Sequence, residues 1–361
     1  MRIAIFGAGL AGLGAAVGLR AQGHYCQLYE RSRQAHDAGM GFILLPDAIS
    51  SLQKLGVPLN GSWSGVPLAQ YICRDSRGEV LHRELLPAGT RAFRRRDLIA
   101  ALCDPLNDSN TISFDAELQR LDFSADGLVE AAFLNSGAIV QADLYIAADG
   151  SRSRARKAVF PQWAAPAAPV AEVVGMLRCA EAIRWAGGNF NKFHAPGGGL
   201  ALGAVPVDAE HLVWFLQFDV QRFGVPEDSP EARLAFVEKL AADWADPIPH
   251  WLAHTDYSRV HLWRPIDADL VPQFYRGNLV LVGDAAHPML PFTSRGVSSA
   301  IADAVVLQKE LRRHRDPGDA LAAYSSQRRE ECAPYIGKGR ELTRNFRMPL
   351  SRETTMVPLA I

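Results

Sequence analysis

A short apolar run, Arg2 to Phe6, leads directly into GAGLAG, Gly7 to Gly12. Gly7 permits a tight turn out of a strand, Gly9 lets the backbone approach a pyrophosphate, and Gly12 lets the following helix pack close on the strand. Small and apolar residues from Leu13 to Ala21 continue as that helix, Gly23 can end it, and Tyr25 to Glu30 reads as a second strand. The helix N-terminus offers unpaired N–H groups and a positive dipole end to a diphosphate. Glu30 stands 18 residues after Gly12, where a carboxylate accepts hydrogen bonds from a ribose. Strand, turn, helix and acid agree, which favours a dinucleotide site over an ordinary glycine-rich turn. The motif alone does not separate NAD from FAD, and Glu30 argues against a 2′-phosphate in the same pocket.

The 361 residues suggest about two domains. Lysine plus arginine number 38 against 39 acidic residues, so no positive excess is available to hold a nucleic acid. A hydrophobic content of 48% excludes a disordered chain. The five cysteines, at 26, 73, 103, 179 and 332, form no metal or disulfide pattern, so neither is expected and a reducing, cytoplasmic setting is. The first apolar run is broken by glycines, is preceded only by Arg2 and lacks a clear cleavage site, so it reads as core rather than signal peptide. No later stretch is long enough for a membrane span.

Further along, PDAISSLQKLG (Pro46 to Gly56) reads as a helix closed by glycine, and Leu98 to Leu102 lies on another. Short β-like runs alternate with turns from Ile112 to Ala148. A sheet-rich block follows, with strands at Asn189–Ala195, Gly199–Val207 and His211–Val220 and a helix over Pro230–Trp244. NLVLVGD is then a buried strand, and Ser298–Arg313 a long helix.

Two later strings add chemistry. ADLYIAADGSRSRARKAV (Ala142 to Val159) ends a buried strand in Asp149-Gly150, followed by Ser153 and Arg156. GDAAHPMLPFTSRG (Gly283 to Gly296) places Asp284 where a strand meets a helix-like turn. Alone, the first is a simple turn and Asp284 a helix cap. The alternative for Asp284 is a carboxylate accepting hydrogen bonds from a polyol chain.

In this order, from about Arg2 to about Gly339, the three strings resemble the group A flavoprotein monooxygenases of the para-hydroxybenzoate hydroxylase type. GMGFILLPDAISSLQKLGV (Gly39 to Val57), Arg95 and HLWRPID fit the same pattern. The resemblance implies an α/β chain with a Rossmann-like FAD-binding domain and an inserted sheet-rich substrate domain. The FAD domain is expected over 1–67, 92–168 and 263–361, and the substrate domain over 68–91 and 169–262. Gly7, Gly9, Leu10, Ala11, Gly12 and Glu30 then match the ADP half of a non-covalent FAD site. Arg31 and Arg95 match basic residues near its phosphates and ribose, and Gly41 joins the cofactor set. Asp149 matches the acid of the D-G motif and Asp284 the ribityl ligand. Pro291 matches the proline at the flavin face, and Gly296 with Val297 the backbone approaching the pyrimidine end. The helix after Gly296 would aim its N-terminus at the flavin edge that gains charge on reduction.

The chain departs from the family's G-Q-G-x-N loop, reading Ser294, Arg295, Gly296, Val297, Ser298. Arg295 either points to solvent or sits at the flavin edge. His287 reads as part of the motif turn rather than a base. Arg94, Arg95 and Arg96 in a row read as a solvated face. Phe190, Phe193, Trp214, Phe215 and Phe218 read as core before aromatic pocket. Arg178, His194, Trp214, Gln217, Pro291 and Arg295 are the substrate-pocket candidates.

The implied reaction is that of a single-component hydroxylase. NAD(P)H reduces FAD, and the C4a-hydroperoxyflavin formed with O2 oxygenates a small aromatic or heteroaromatic substrate. The alternatives are a flavoenzyme of the same fold that does not hydroxylate (a reductase, oxidase or epoxidase) and a non-catalytic FAD-binding protein. No metal is expected, and a monomer or homodimer is. The length leaves no separate NAD(P)H domain, so the reductant is expected at the shared cleft, through movement of the flavin or a loop.

Overall fold

A computed structural model describes residues 1–34, 40–60, 63–106 and 111–355. Arg2–Phe6 pairs in parallel with Tyr25–Tyr29 on one side and Leu144–Ala147 on the other. It is central in a six-stranded sheet ordered Tyr275–Arg276, Leu279–Leu281, Leu144–Ala147, Arg2–Phe6, Tyr25–Tyr29, Ile112–Ser113. Ile3 to Phe6 and Leu144 to Ala147 are all buried, because elements cover both faces of these parallel strands. This is the Rossmann-like α/β architecture expected.

Two helices lie side by side on this sheet, Leu10–Arg20 and Gly296–Arg313. A Cβ on Gly14 would come within 3.3 Å of Ala304, and one on Gly18 within 3.1 Å of Gln308. Both members of these pairs advance by four residues, so the helices run parallel and present their N-termini at the same end. The absence of side chains at Gly14 and Gly18 allows that approach.

The second sheet has seven strands, ordered His261–Trp263, Val170–Arg178, His211–Asp219, Leu200–Pro206, Phe190–His194, Gln70–Asp75, Val80–Leu85. Alternation along His211–Asp219 separates its faces. Leu212, Trp214, Leu216 and Phe218 pack outward with Val237 and Ala241 of the Pro230–Ala241 helix and with Trp251 of Ile248–Ala253. On the inner face, Tyr71, Phe190, Val205 and Val213 pack on Met40, Ile43 and Leu45. Ala201 on the same face clusters with Leu290, Phe292, Leu342 and Phe346. The inner face therefore closes on two elements of the nucleotide half, the Gly41–Leu44 strand and the Pro291–Thr293 turn.

Elements differ from the sequence-based layout mostly by one to three residues. The Gly296–Arg313 helix starts at Gly296 rather than Ser298. Several elements were not foreseen, among them the strands Gln70–Asp75, Val80–Leu85 and Val170–Arg178 and a 30-residue helix, Pro317–Phe346, that runs through Pro334. A proline there reads as a stop because it removes the bond to the Glu330 carbonyl. Buried contacts on both sides carry the helix past it, with Leu321 and Tyr324 before the proline and Leu342 and Phe346 after it all in the core. Gly39, at the head of the Gly39–Val57 string, lies outside the described residues.

Candidate functional site

The glycine turn behaves as its spacing demands. Gly7 has φ +105°, and a Cβ there would meet the Ala148 carbonyl oxygen at 2.2 Å. A Cβ on Gly12 would lie 1.9 Å from the Gly7 oxygen. Gly9 caps the first helix, and a Cβ there meets nothing within 4 Å. Gly7 and Gly12 are thus required by packing, whereas Gly9 borders open space. Leu10 is buried in the core, and Ala11 abuts Gly283, whose own Cβ would reach it at 2.7 Å. The Glu30 carboxylate accepts from Ala8 N at 2.8 Å and Ser32 N at 2.9 Å, which aligns it with the turn. One cleft is lined by Gly7, Gly9, Glu30, Arg31, Arg95 and Asp149 together with Glu117, Arg152, Arg154 and apolar neighbours. Gly41 is not among its lining residues. A Cβ on Gly41 would come within 2.8 Å of both the Phe93 oxygen and Val207, so strand packing explains this glycine.

The D-G and G-D strings meet in space. Asp149 accepts from Arg154 N at 2.8 Å and Ala155 N at 3.2 Å, at the start of the short Arg154–Val159 helix that Ser153 caps, while its second oxygen is buried with no hydrogen-bond partner among the described residues. Arg156 bridges the strings. Its guanidinium donates to the Asp284 and Ala285 carbonyls at 2.9 and 2.8 Å and to Ser151, and it stacks on Trp163 at 4.0 Å. The sequence shows Arg156 beside the motif but not this bridging.

Asp284 is exposed, yet closely surrounded by protein. Its side chain caps no helix and accepts no hydrogen bond from the described residues. Burial pushes its carboxyl up, with His287, Arg95 and Arg156 opposing. A helix cap is therefore not its role. His287 is fully buried and donates to Asp303 at 2.7 Å. Asp303 also accepts from Gly283 N at 2.6 Å and from Arg328 at 2.7 Å, pinning the turn that displays Asp284. His287 is structural, as read from the sequence; Asp303 and Arg328 were not singled out.

At the head of the Gly296–Arg313 helix, a Cβ on Gly296 meets nothing within 4 Å, and Val297 packs partly on the core. Gly9 and Gly296 thus border open space at the two parallel helix N-termini. Ser294 takes a left-handed conformation, φ +52°, which favours glycine. Arg295 does not point to solvent: it is 7% exposed, paired with Asp47 and 4.9 Å over the Tyr335 ring. Pro291 begins the preceding turn. The three consecutive arginines are also not one solvated face. Arg94 is buried and paired with Asp208 at 2.7 Å, Arg95 lines the cleft, and only Arg96 is exposed.

The pocket candidates on the second sheet separate. Arg178 is exposed and paired with Glu210 at 2.9 Å. Trp214 points to the outer core and donates to Thr255 at 2.9 Å. His194 and Gln217 are buried on the inner face, His194 at 3.4 Å from the Tyr71 hydroxyl. Gln217 lies between two charged residues not singled out from sequence, accepting from Lys192 and donating to Glu172, each at 2.5 Å. Their only signal was a charge inside an apolar strand, FNKFH and VAEVVGM. Among the described residues no group of three or more His, Cys, Asp or Glu is placed to hold a metal, and no helix is long and apolar enough to cross a membrane.

Residues 1–334 match the family model described as FAD binding domain. The chain is 29% identical to the FAD-dependent urate hydroxylase of Klebsiella pneumoniae, over 98% of this chain and 95% of the relative. It is 26% identical to 3-hydroxybenzoate 6-hydroxylase 1 of Aquipseudomonas alcaligenes, over 90% and 84%. The crystal structure of Klebsiella pneumoniae HpxO complexed with FAD and uric acid superimposes with a TM-score of 0.84 at 25% identity, covering 96% of this chain and 89% of that one. These relatives are the FAD-dependent aromatic hydroxylases that the three strings led one to expect.

Proposed function

The chain belongs to the FAD binding domain family, and from that premise we propose that it is a single-component flavoprotein monooxygenase acting on a small aromatic or heteroaromatic substrate. The observation that carries this reading is the cleft at the first helix N-terminus, lined by Gly9, Glu30 and Arg95, with the Asp284 carboxylate near enough to feel the Arg95 charge and open space at the second, parallel helix N-terminus, Gly296. The residues fit FAD: Gly9 leaves room for a diphosphate at a helix N-terminus, Glu30 is aligned for a ribose, and Asp284 is held ready for hydroxyls. FAD held there would supply the redox chemistry, hydride acceptance from NAD(P)H and activation of O2.

The protein binds, orients and excludes water. Gly7, Gly9, Leu10, Ala11, Gly12, Glu30 and Arg31 hold the nucleotide end, with Arg95 and Asp149 beside them. Gly296 and Val297 present free N–H groups, which stabilise negative charge placed before them. Pro291 and the inner sheet face enclose the substrate and keep water out. In this reading segments 1–67, 92–168 and 263–361 form the FAD domain, and 68–91 with 169–262 the substrate domain.

The purified protein should be yellow, release FAD on heating and oxidise NAD(P)H faster with substrate. The deciding experiment is turnover under 18O2. One labelled oxygen per product is expected, and an unlabelled product makes the protein a non-hydroxylating flavoenzyme instead.

A further inference from the structure

A line of polar side chains crosses the inner face of the seven-stranded sheet. Glu172 and Gln217 are directly opposite on neighbouring strands. Lys192 lies two strands from Gln217, across Leu200–Pro206. It reaches Gln217 because the intervening inward positions are Ala201 and Gly203, the register partners of Gln217 and Lys192. Lysine can only donate and ionised glutamate only accept, so the Gln217 amide is fixed with its oxygen toward Lys192 and its nitrogen toward Glu172.

Lys192 is 2% exposed. Its ammonium has three N–H groups and one acceptor among the described residues. Around it stand three aromatic rings: Phe215 at 6.0 Å, Phe292 at 5.3 Å and Phe346 at 5.7 Å. Rings attract a cation but accept no strong hydrogen bond, so two donors remain unused. Phe292 belongs to the turn begun by Pro291. The ammonium therefore lies between the sheet wall and the turn assigned to the substrate.

Resting on the monooxygenase reading, we propose that Lys192, positioned by Gln217 and Glu172, is the specificity-determining cation of the substrate site, selecting aromatic rings that carry an anionic oxygen. A carboxylate or ionised ring oxygen supplies the acceptor that the ammonium lacks, and charge-assisted bonds in a dry site discriminate strongly against a neutral isostere. Burial holds Lys192 down at about 8 and Glu172 up at about 7, with each one's charge favouring ionisation of the other. Glu172 thus keeps the ammonium charged but competes with the substrate anion for it.

The test titrates the FAD-loaded protein at neutral pH, following the flavin spectrum. The probes are 3-hydroxybenzoate against 3-hydroxybenzamide, and urate against hypoxanthine. Wild type should prefer the anion of at least one pair by about tenfold or more. K192M should lose that preference while retaining FAD. Because K192M leaves Glu172 buried without its cation, the K192M/E172Q double variant is measured beside it and should lose the preference equally. E172Q alone should tighten anion binding several-fold and leave the neutral probe unchanged. No anion preference in wild type, or a preference that survives in the double variant, overturns the inference. E172Q weakening both probes alike overturns the positioning by Glu172. Labelled product from 18O2 without anion preference sinks the Lys192 assignment alone, and anion preference without labelled product sinks the monooxygenase reading alone.

Discussion

Gly9 and Gly12 share one motif but differ in what surrounds them, and the difference is measurable. Gly12→Ala puts a Cβ against the Gly7 oxygen and must shift the backbone, so it should cost about 1–3 kcal/mol in a denaturant melt. Gly9→Ala enters open space, so it should melt like wild type yet lose FAD. If Gly9→Ala keeps full FAD, that space is not the diphosphate site. Asp284→Ala should likewise fold but weaken FAD retention by about 1.5–3 kcal/mol, the loss of charge-assisted hydrogen bonds, read by FAD titration. Ser294 holds a left-handed conformation without being glycine. Ser294→Gly should therefore raise stability by about 1 kcal/mol, read as a higher denaturation midpoint. These positions were legible because their constraints are local. Lys192 and Glu172 were not, since period-two alternation assigns a face to a side chain but not the partner reaching it from two strands away.

Among the elements, the turn Gly283–Ala285 is tied from both sides, by Arg156 from the D-G string and by Asp303 from the Gly296–Arg313 helix. Burial alone would raise the Asp303 carboxyl, but the His287 and Arg328 charges outweigh it and hold it at about 2. Burial would lower His287, but Asp303 outweighs it and holds the imidazole well above its ordinary value. Asp303 stability is present above its unfolded pKa of about 3.9 and is lost as pH falls through about 2. His287 stability is full below its unfolded pKa of about 6.5 and is lost as pH rises through its raised folded value. Both contribute fully between about pH 4 and 6.5. Asp303→Asn should cost about 3–5 kcal/mol there, because it leaves Arg328 and His287 buried without their anion. Urea melts across that window check it, and a variant as stable as wild type would remove the triad as the anchor. The string GDAAH advertised the turn, but its anchors lie 16 and 41 residues beyond His287, at Asp303 and Arg328, on helices whose packing a linear reading does not supply.

At the scale of the whole molecule, the two sheets share a buried face rather than a hinge. Leu290 and Phe292 from the nucleotide half cluster with Ala168, Val170 and Ala201 from the sheet half, and Leu342 and Phe346 of the last helix complete that cluster. The meeting of early, middle and late segments was legible in the three strings, and the six-stranded sheet does join Arg2–Phe6, Leu144–Ala147 and Leu279–Leu281. The closing helix was not, because Pro334 interrupts its pattern while its anchors come from both halves. Shared burial of this kind predicts one cooperative unfolding transition rather than two. FAD held by residues from the three separated segments should stabilise that whole unit. At a free concentration 100 times Kd it should add about 2.7 kcal/mol to the free energy of unfolding. A thermal melt with and without FAD therefore should show a single transition that moves upward as a unit. Two transitions, with only one responding to FAD, would mean that the face around Phe292 does not couple the halves.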